Sequence, residues 1–181
     1  TLSTGHALAY SNDNGLTWTG LFNSIFSIES RMLRCNHLGT RLAGGTGTAN
    51  TLARSVDGGA IWSGLGKTVL ETECRYVAFN PSTARWLAAG AGTTSHMMAF
   101  SDDDGLTWNA ALGTNDARNG GYDSRAYSVA WCGGTNWYSI GKDSSATPQS
   151  MSMSVDDGVT WTGLGAIQFD VSSFSIMGIL Y

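Results

Sequence analysis

The stretch Ser101-Asp102-Asp103-Asp104-Gly105-Leu106-Thr107-Trp108 sets the register of the whole 181-residue chain. It has three companions: Ser11-Asn12-Asp13-Asn14-Gly15-Leu16-Thr17-Trp18, Ser55-Val56-Asp57-Gly58-Gly59-Ala60-Ile61-Trp62 and Ser154-Val155-Asp156-Asp157-Gly158-Val159-Thr160-Trp161. The shared pattern is S-x-D-x-G-x-T-W, broken only at Ile61, and the tryptophans stand 44, 46 and 53 residues apart. A period of this size marks an array of supersecondary units.

Aligning the copies on tryptophan exposes the rest of the unit. Ahead of each box lies a short apolar run, Ala7–Tyr10, Thr51–Arg54, Met97–Phe100 and Ser150–Met153, and beyond it the chain continues as another strand. The box itself then reads as a hairpin turn. Asp supplies side-chain bonds to the backbone, and Gly supplies the positive φ that tight turns need. Further along come strands such as Arg31–Cys35, Arg75–Phe79 and Ala126–Trp131, each followed by a turn and by a strand ending in Gly: Arg41–Gly45, Trp86–Gly90 and Trp137–Gly141. No segment shows the i, i+3, i+4, i+7 apolar spacing of a helix. Each period therefore holds four short strands, A to D, with the box joining C to D. That is the pattern of a β-propeller blade.

The ends fit the same register. Thr1–Gly5 matches the B strands, and Ser173–Leu180 matches the A strands. The expected fold is an all-β propeller of four-stranded antiparallel blades, a single domain over residues 1–181. Four blades are closed by pairing the C-terminal strand with the N-terminal strands, because closure removes exposed edges. The alternative is part of a larger ring, completed by further sequence or by a second chain. The chain opens at Thr1 with no initiator Met and no leader pattern, as a processed or excerpted chain does.

Composition narrows the partners. Hydrophobic residues make up 42% of the chain and charged residues 13%, with a net charge of −4. Its lysines are Lys67 and Lys142. Nucleic acid, which is gripped by clustered Lys and Arg, is not an expected partner. No apolar run approaches the ~20 residues of a spanning helix, so membrane insertion is not expected. A hydroxyl-rich, lysine-poor surface suits an extracellular or virion-exposed protein. Cys35, Cys74 and Cys132 lack metal-ligand spacing and read as buried or half-buried thiols.

The four motifs resemble Asp boxes, also called bacterial neuraminidase repeats, three in full and the second through Ser55, Asp57, Gly59 and Trp62. The family includes sialidases, sortilin-type receptors, a photosystem II assembly factor, glycan-cleaving enzymes and phage proteins. It shares blades and not one activity. The resemblance implies that the box lies on the face away from any catalytic site. It also makes Ser11, Asp13, Gly15 and Trp18, with Ser55, Asp57, Gly59 and Trp62, structural. The same holds for Ser101, Asp103, Gly105 and Trp108, and for Ser154, Asp156, Gly158 and Trp161. The tryptophans are expected to pack between sheets.

Candidate chemistry is sparse. Asp102–Gly105 resembles the start of a calcium loop, but the twelfth residue counted from Asp102 is Gly113, not the bidentate Glu such a loop needs. No metal site and no cofactor are expected. Sialidase-like enzymes carry an F/Y-R-I-P motif, and the only prolines here are Pro81 and Pro148. Catalysis is not expected of this chain.

Arg31, Arg75 and Arg125 each stand at the entrance to an A strand, where they could ring the channel mouth and hold a carboxylate bidentately, or pair with Glu29, Glu73 and Asp123 nearby. The long connections Asn109–Ser124 and Lys142–Gln149 offer a recognition surface, and Tyr122 is a candidate to stack on a sugar. Phe22, Phe26 and Phe169 are expected to plug the gaps between blades. The functional expectation is a non-catalytic recognition or assembly module, binding a glycan or a protein partner. It could also form a homo-oligomer or join a larger assembly as a virion or cell-surface structural component. The alternative is a fragment of a sialidase-like glycoside hydrolase.

Overall fold

The structure, a computed structural model, describes residues 5–21, 25–92, 96–113, 122, 124–142 and 150–165. Its described residues form strands and turns and no helix. The first sheet pairs β1 (Ala9–Tyr10) with β2 (Thr19–Gly20). The second runs in order β3 (Glu29–Cys35), β4 (Arg41–Thr46), β5 (Leu52–Ser55) and β6 (Ser63–Gly64). The third repeats this with β7 (Glu73–Asn80), β8 (Arg85–Ala91), β9 (Met98–Ser101) and β10 (Asn109–Ala110).

In the fourth sheet, β12 (Arg125–Trp131), β13 (Trp137–Lys142), β14 (Met151–Ser154) and β15 (Thr160–Gly163) follow the same antiparallel order. A fifth strand, β11 (Leu112–Gly113), adds parallel to β15. The sequence suggests one loop over Asn109–Ser124. Instead, its start is β10, and its continuation crosses to the neighbouring sheet, where the Leu112 N–H donates to the Val159 carbonyl at 2.8 Å. Residues 1–4 and 166–181, and with them the strand pairing that would close a ring, lie outside the described residues.

The apolar core sits in the gaps between successive sheets. The second strand of each full sheet has neighbours on both faces, and in the second and third sheets small side chains dominate it. β8 is buried from Trp86 to Ala91, with Ala88, Ala89 and Gly90 in its centre. Leu42, Leu52, Leu70, Val77 and Trp86 fill the gap between the second and third sheets. Leu87, Met98, Val129, Trp137 and Trp161 fill the gap between the third and fourth. Phe26, Ala43 and Ala53 meet Ala7 and Leu8 between the first and second. Phe26 is thus a gap plug, as expected; Phe22 and Phe169 lie outside the described residues.

β3, β7 and β12, the first strands of the three full sheets, pack side by side as the inner strands, and each carries one β-bulge. The register slips between Ser30 and Met32 in β3, between Cys74 and Tyr76 in β7, and between Ala126 and Ser128 in β12. The extra residues are Arg31, Arg75 and Tyr127. A bulge re-aims the side chain of its extra residue, so these three positions leave the regular in-out alternation of the strand.

Candidate functional site

The four boxes fold alike. In the first, the Ser11 hydroxyl donates to Asp13 at 2.7 Å and accepts from the Gly15 N–H at 2.9 Å. Asp13 accepts the Thr17 N–H at 2.8 Å and its hydroxyl at 2.5 Å, and the Trp18 indole N–H donates to the Gly15 carbonyl at 3.1 Å. Ser101, Asp103, Gly105 and Trp108 repeat these contacts, as do Ser154, Asp156, Gly158 and Trp161. In the second box, Ser55, Asp57, Gly59 and Trp62 keep all but one, since Ile61 has no hydroxyl to give Asp57.

Two successive residues in each turn have positive φ, for example Asp104 at 59° and Gly105 at 82°, and the second is always Gly. The Thr17 hydroxyl and N–H, with Ser11, pull the Asp13 carboxyl down to about 2. Burial pushes Asp103 and Asp156 up, and the matching Thr and Ser bonds outweigh it, so both lie below the usual carboxylate range. These are turn devices. Trp18 departs from the expected packing: it is 66% exposed, because the described residues put no sheet against it.

Sequence reasoning missed the residue between Asp and Gly in the last two boxes. Asp157 reaches from the fourth sheet into the third, accepting from the Asn80 side chain at 2.8 Å and the Thr83 hydroxyl at 2.7 Å. It also accepts the Trp137 indole N–H at 2.7 Å, while Arg85 donates to its carbonyl at 2.8 Å. Asp104 does the same one sheet earlier, with Asn36 at 3.0 Å, Thr40 at 2.5 Å and Arg54 at 2.7 Å. The signal was present as matching A-to-B turns, Asn36…Thr40 and Asn80…Thr83. Nothing in a single repeat says that they face the next one.

The three candidate arginines do come together. Glu73, with its side chain 7% exposed, receives all of them: Arg75 at 2.5 Å, Arg31 at 3.1 Å and Arg125 at 3.6 Å. Arg31 also pairs with Glu29. Both Glu73 oxygens are engaged, Oε1 by Arg75 and Arg125 and Oε2 by Arg31. The arginines are not equivalent, which corrects the sequence reading. Arg31 and Arg75 are bulge residues. Arg125 opens β12 in the position that Glu29 and Glu73 hold in β3 and β7, and Tyr127 takes the bulge position.

The Arg75 guanidinium lies 5.4 Å from the centre of the Tyr127 ring. Arg125 faces Lys142 directly across the β12–β13 ladder, a like-charge pairing that is normally unfavourable. Its Nε is buried with no hydrogen-bond partner among the described residues. Among the described residues, four cations here meet two carboxylates. Asp123, the other acid expected nearby, lies outside them.

Other sequence expectations fare unevenly. Tyr122 is fully buried: its hydroxyl donates to the Ser139 carbonyl at 2.7 Å, and its ring fills the space a Cβ on Gly141 would take. It plugs the gap under the fourth sheet as Phe26 does under the second, so it is not placed to stack on a ligand. Cys74 is buried and Cys132 half-buried, as expected, but Cys35 is exposed. Among the described residues, no cluster of metal-ligating side chains occurs, and no helix is long and apolar enough to cross a membrane.

Neither a protein-family model nor a curated protein matches the chain. Solved structures do. An ancestral GH74 enzyme superposes with a TM-score of 0.66 at 16% identity, over 90% of this chain and 22% of the enzyme. A GH74 enzyme from Niastella koreensis gives 0.61 at 19% identity, over 86% of this chain and 25% of the enzyme. YCF48 bound to a D1 peptide gives 0.52 at 15% identity, over 74% of this chain and 40% of that one. The chain thus spans less than half the length of each of these structures. At such identities the likeness shows the fold alone: this all-β chain has a β-propeller fold.

Proposed function

We propose that this Asp-box propeller chain is a non-catalytic recognition or assembly module. Its ligand, a glycan or a protein partner, presents a carboxylate to the arginine cluster at the start of the inner strands. The carrying observation is the Arg125–Lys142 pairing. Two cations face each other across a ladder, and the nearest described carboxylate, Glu73, is already shared with Arg75 and Arg31. An incoming carboxylate would relieve that repulsion and give the Arg125 fork a bidentate partner. The peptide bound by YCF48 supports a protein ligand on this fold. We place the module outside the cell or on a virus particle, with a ring closed by its own terminal strands or completed by another copy.

The test is binding to a glycan array carrying sialylated and neutral sugars, and to a library of acidic peptides, by the chain and by Arg125→Ala. The expected result is at least one carboxylate-bearing ligand, with binding at least tenfold weaker in the variant. A ligand set without carboxylates, or an unchanged Arg125→Ala, would sink the reading.

A second reading is a fragment of a sialidase-like glycoside hydrolase. It draws on the coverage of the GH74 enzymes, of which this chain matches 22% and 25%. Glycoside hydrolysis generally needs two carboxylates flanking the bond, roughly 5–10 Å apart, one of them able to donate a proton. Glu73 has no oxygen left for that role while the three arginines hold it. Turnover of polysaccharide by this chain, abolished in Glu73→Gln, would favour the enzyme over the binding module.

A further inference from the structure

At the opposite end of the inner strands lies a cleft that shares no residue with the arginine cluster. It has a volume of about 390 Å³. β7 packs between β3 and β12 and supplies its middle with Tyr76, Ala78 and Phe79. Arg34 of β3 stands on one side and Trp131 of β12 on the other. Ala78 and Ala130 are small, which leaves room between the two sides.

Two features give the cleft a chemical preference. Arg34 is exposed and, like Arg41, has no carboxylate partner among the described residues, whereas Arg31, Arg54, Arg75, Arg85 and Arg125 all have one. Yet it is held in place. Its Nη2 donates to the Tyr76 hydroxyl, and its guanidinium carbon lies 5.2 Å from the centre of that ring. The Trp131 indole is likewise fixed, its N–H donating to the Gly134 carbonyl at 2.9 Å. A preorganised, unneutralised guanidinium beside fixed aromatic rings suits an anion with a flat body.

We propose that this cleft is a second binding site, for a small carboxylate borne on a ring, with Arg34 taking the carboxylate and Trp131 flanking the ring. The shared chemistry has two sources, an aromatic acid or a sugar acid, and benzoate and glucuronate stand for them. The site is independent of the arginine cluster and of any ligand bound there.

The experiment is a two-dimensional amide NMR titration of the full chain with benzoate, with glucuronate and with acetate. The Trp131 indole N–H signal, assigned through Trp131→Phe, is the reporter. At least one ring acid is expected to shift that signal saturably, with acetate at least tenfold weaker. Arg34→Ala is expected to weaken the ring acid at least tenfold. Arg34→Lys, which keeps charge but loses the fork, should fall between, and the saturable Trp131 shift should persist in Arg125→Ala, whatever that variant does to ligands at the arginine cluster. Because Arg34 is exposed, its variants should fold, and the other tryptophan signals report that directly. The proposal is overturned if neither ring acid moves the signal, if acetate binds as well as they do, or if Arg34→Ala binds like the parent chain. It is overturned equally if Arg125→Ala, and not Arg34→Ala, abolishes the shift.

Discussion

The first and last boxes make the same hydrogen bonds in opposite surroundings. Trp18 donates to Gly15 at 3.1 Å and Trp161 donates to Gly158 at 3.0 Å, yet the first is 66% exposed and the second 1%. The turn is therefore self-sufficient, fixed by serine, aspartate and glycine within eight residues. Burial of its tryptophan is a property of the neighbouring sheet. The polar contacts divide the same way. Asp157 binds the third sheet through Asn80, Thr83 and Arg85. Asn14, in the equivalent position, makes no such bridge among the described residues. One motif thus does two jobs: the repeated pattern shapes the hairpin, and in the last two copies the residue before its glycine ties one sheet to the previous one.

The largest expected effect breaks the comparison at its buried end. Trp161→Ala removes a large side chain from the gap where Leu87, Met98 and Trp137 meet. A cost of about 3–5 kcal/mol is expected, read as a fall in the denaturation midpoint with little change in slope. Asp157→Ala comes next, at about 3 kcal/mol, because the fully buried Asn80 amide and Trp137 indole N–H both lose their carboxylate acceptor, while Arg85 keeps the backbone carbonyl and Asp102. Asp104→Ala should cost less, since that carboxylate is 37% exposed and water can replace part of what is lost. Equal costs for the two aspartates would mean that burial is not what separates them.

Acid offers a graded version of the same test. Asp13, Asp57, Asp103, Asp104 and Asp156 are all held below the usual carboxylate range in the folded chain. A depressed folded pKa means that the unfolded chain binds protons first as pH falls. The stabilisation is complete above about pH 5 and is lost on the way down towards pH 2, where Asp13 titrates. Tm should therefore be flat from pH 7 to about 5 and fall steadily below 4. A Tm that stays level down to pH 2.5 would contradict the bonding described for the boxes.

The sequence made the strands and turns legible because the repeat is written in residues whose physics is local. Asp13 and Gly15 act within their own turn, so each copy announces itself. What crosses between units was harder to read. Asp104 and Asp157 stand at a position that also holds Asn14 and Gly58, and only the folded chain shows that Asn36 and Asn80 wait opposite two of them. The arginine cluster was half legible. Arg31 and Arg75 were placed correctly at the strand entrances, but each bulge adds a residue. That moved Arg125 to the glutamate position and set it against Lys142. Tyr122 misled because a polar, glycine-rich connection suggests exposure. The gap beside Gly141 needed an apolar plug, and the tyrosine satisfies its hydroxyl on Ser139 inside it.

The smallest expected effect is at the exposed end, and it is the most informative about the ring. Trp18 keeps its indole bond to Gly15, and no described sheet covers it. Its neighbours point the same way: Leu16 is 85% exposed and Leu33 47%. Truncating a surface side chain of this kind changes stability by about 0.5 kcal/mol or less. Trp18→Ala should therefore unfold at nearly the parent midpoint, while Trp161→Ala does not. If instead Trp18→Ala costs as much as Trp161→Ala, a sheet must close over the first box in solution, and dilution decides which one. A cost that vanishes on dilution comes from a second copy supplying the cover. A cost independent of concentration comes from the chain's own last blade, as a closed ring requires.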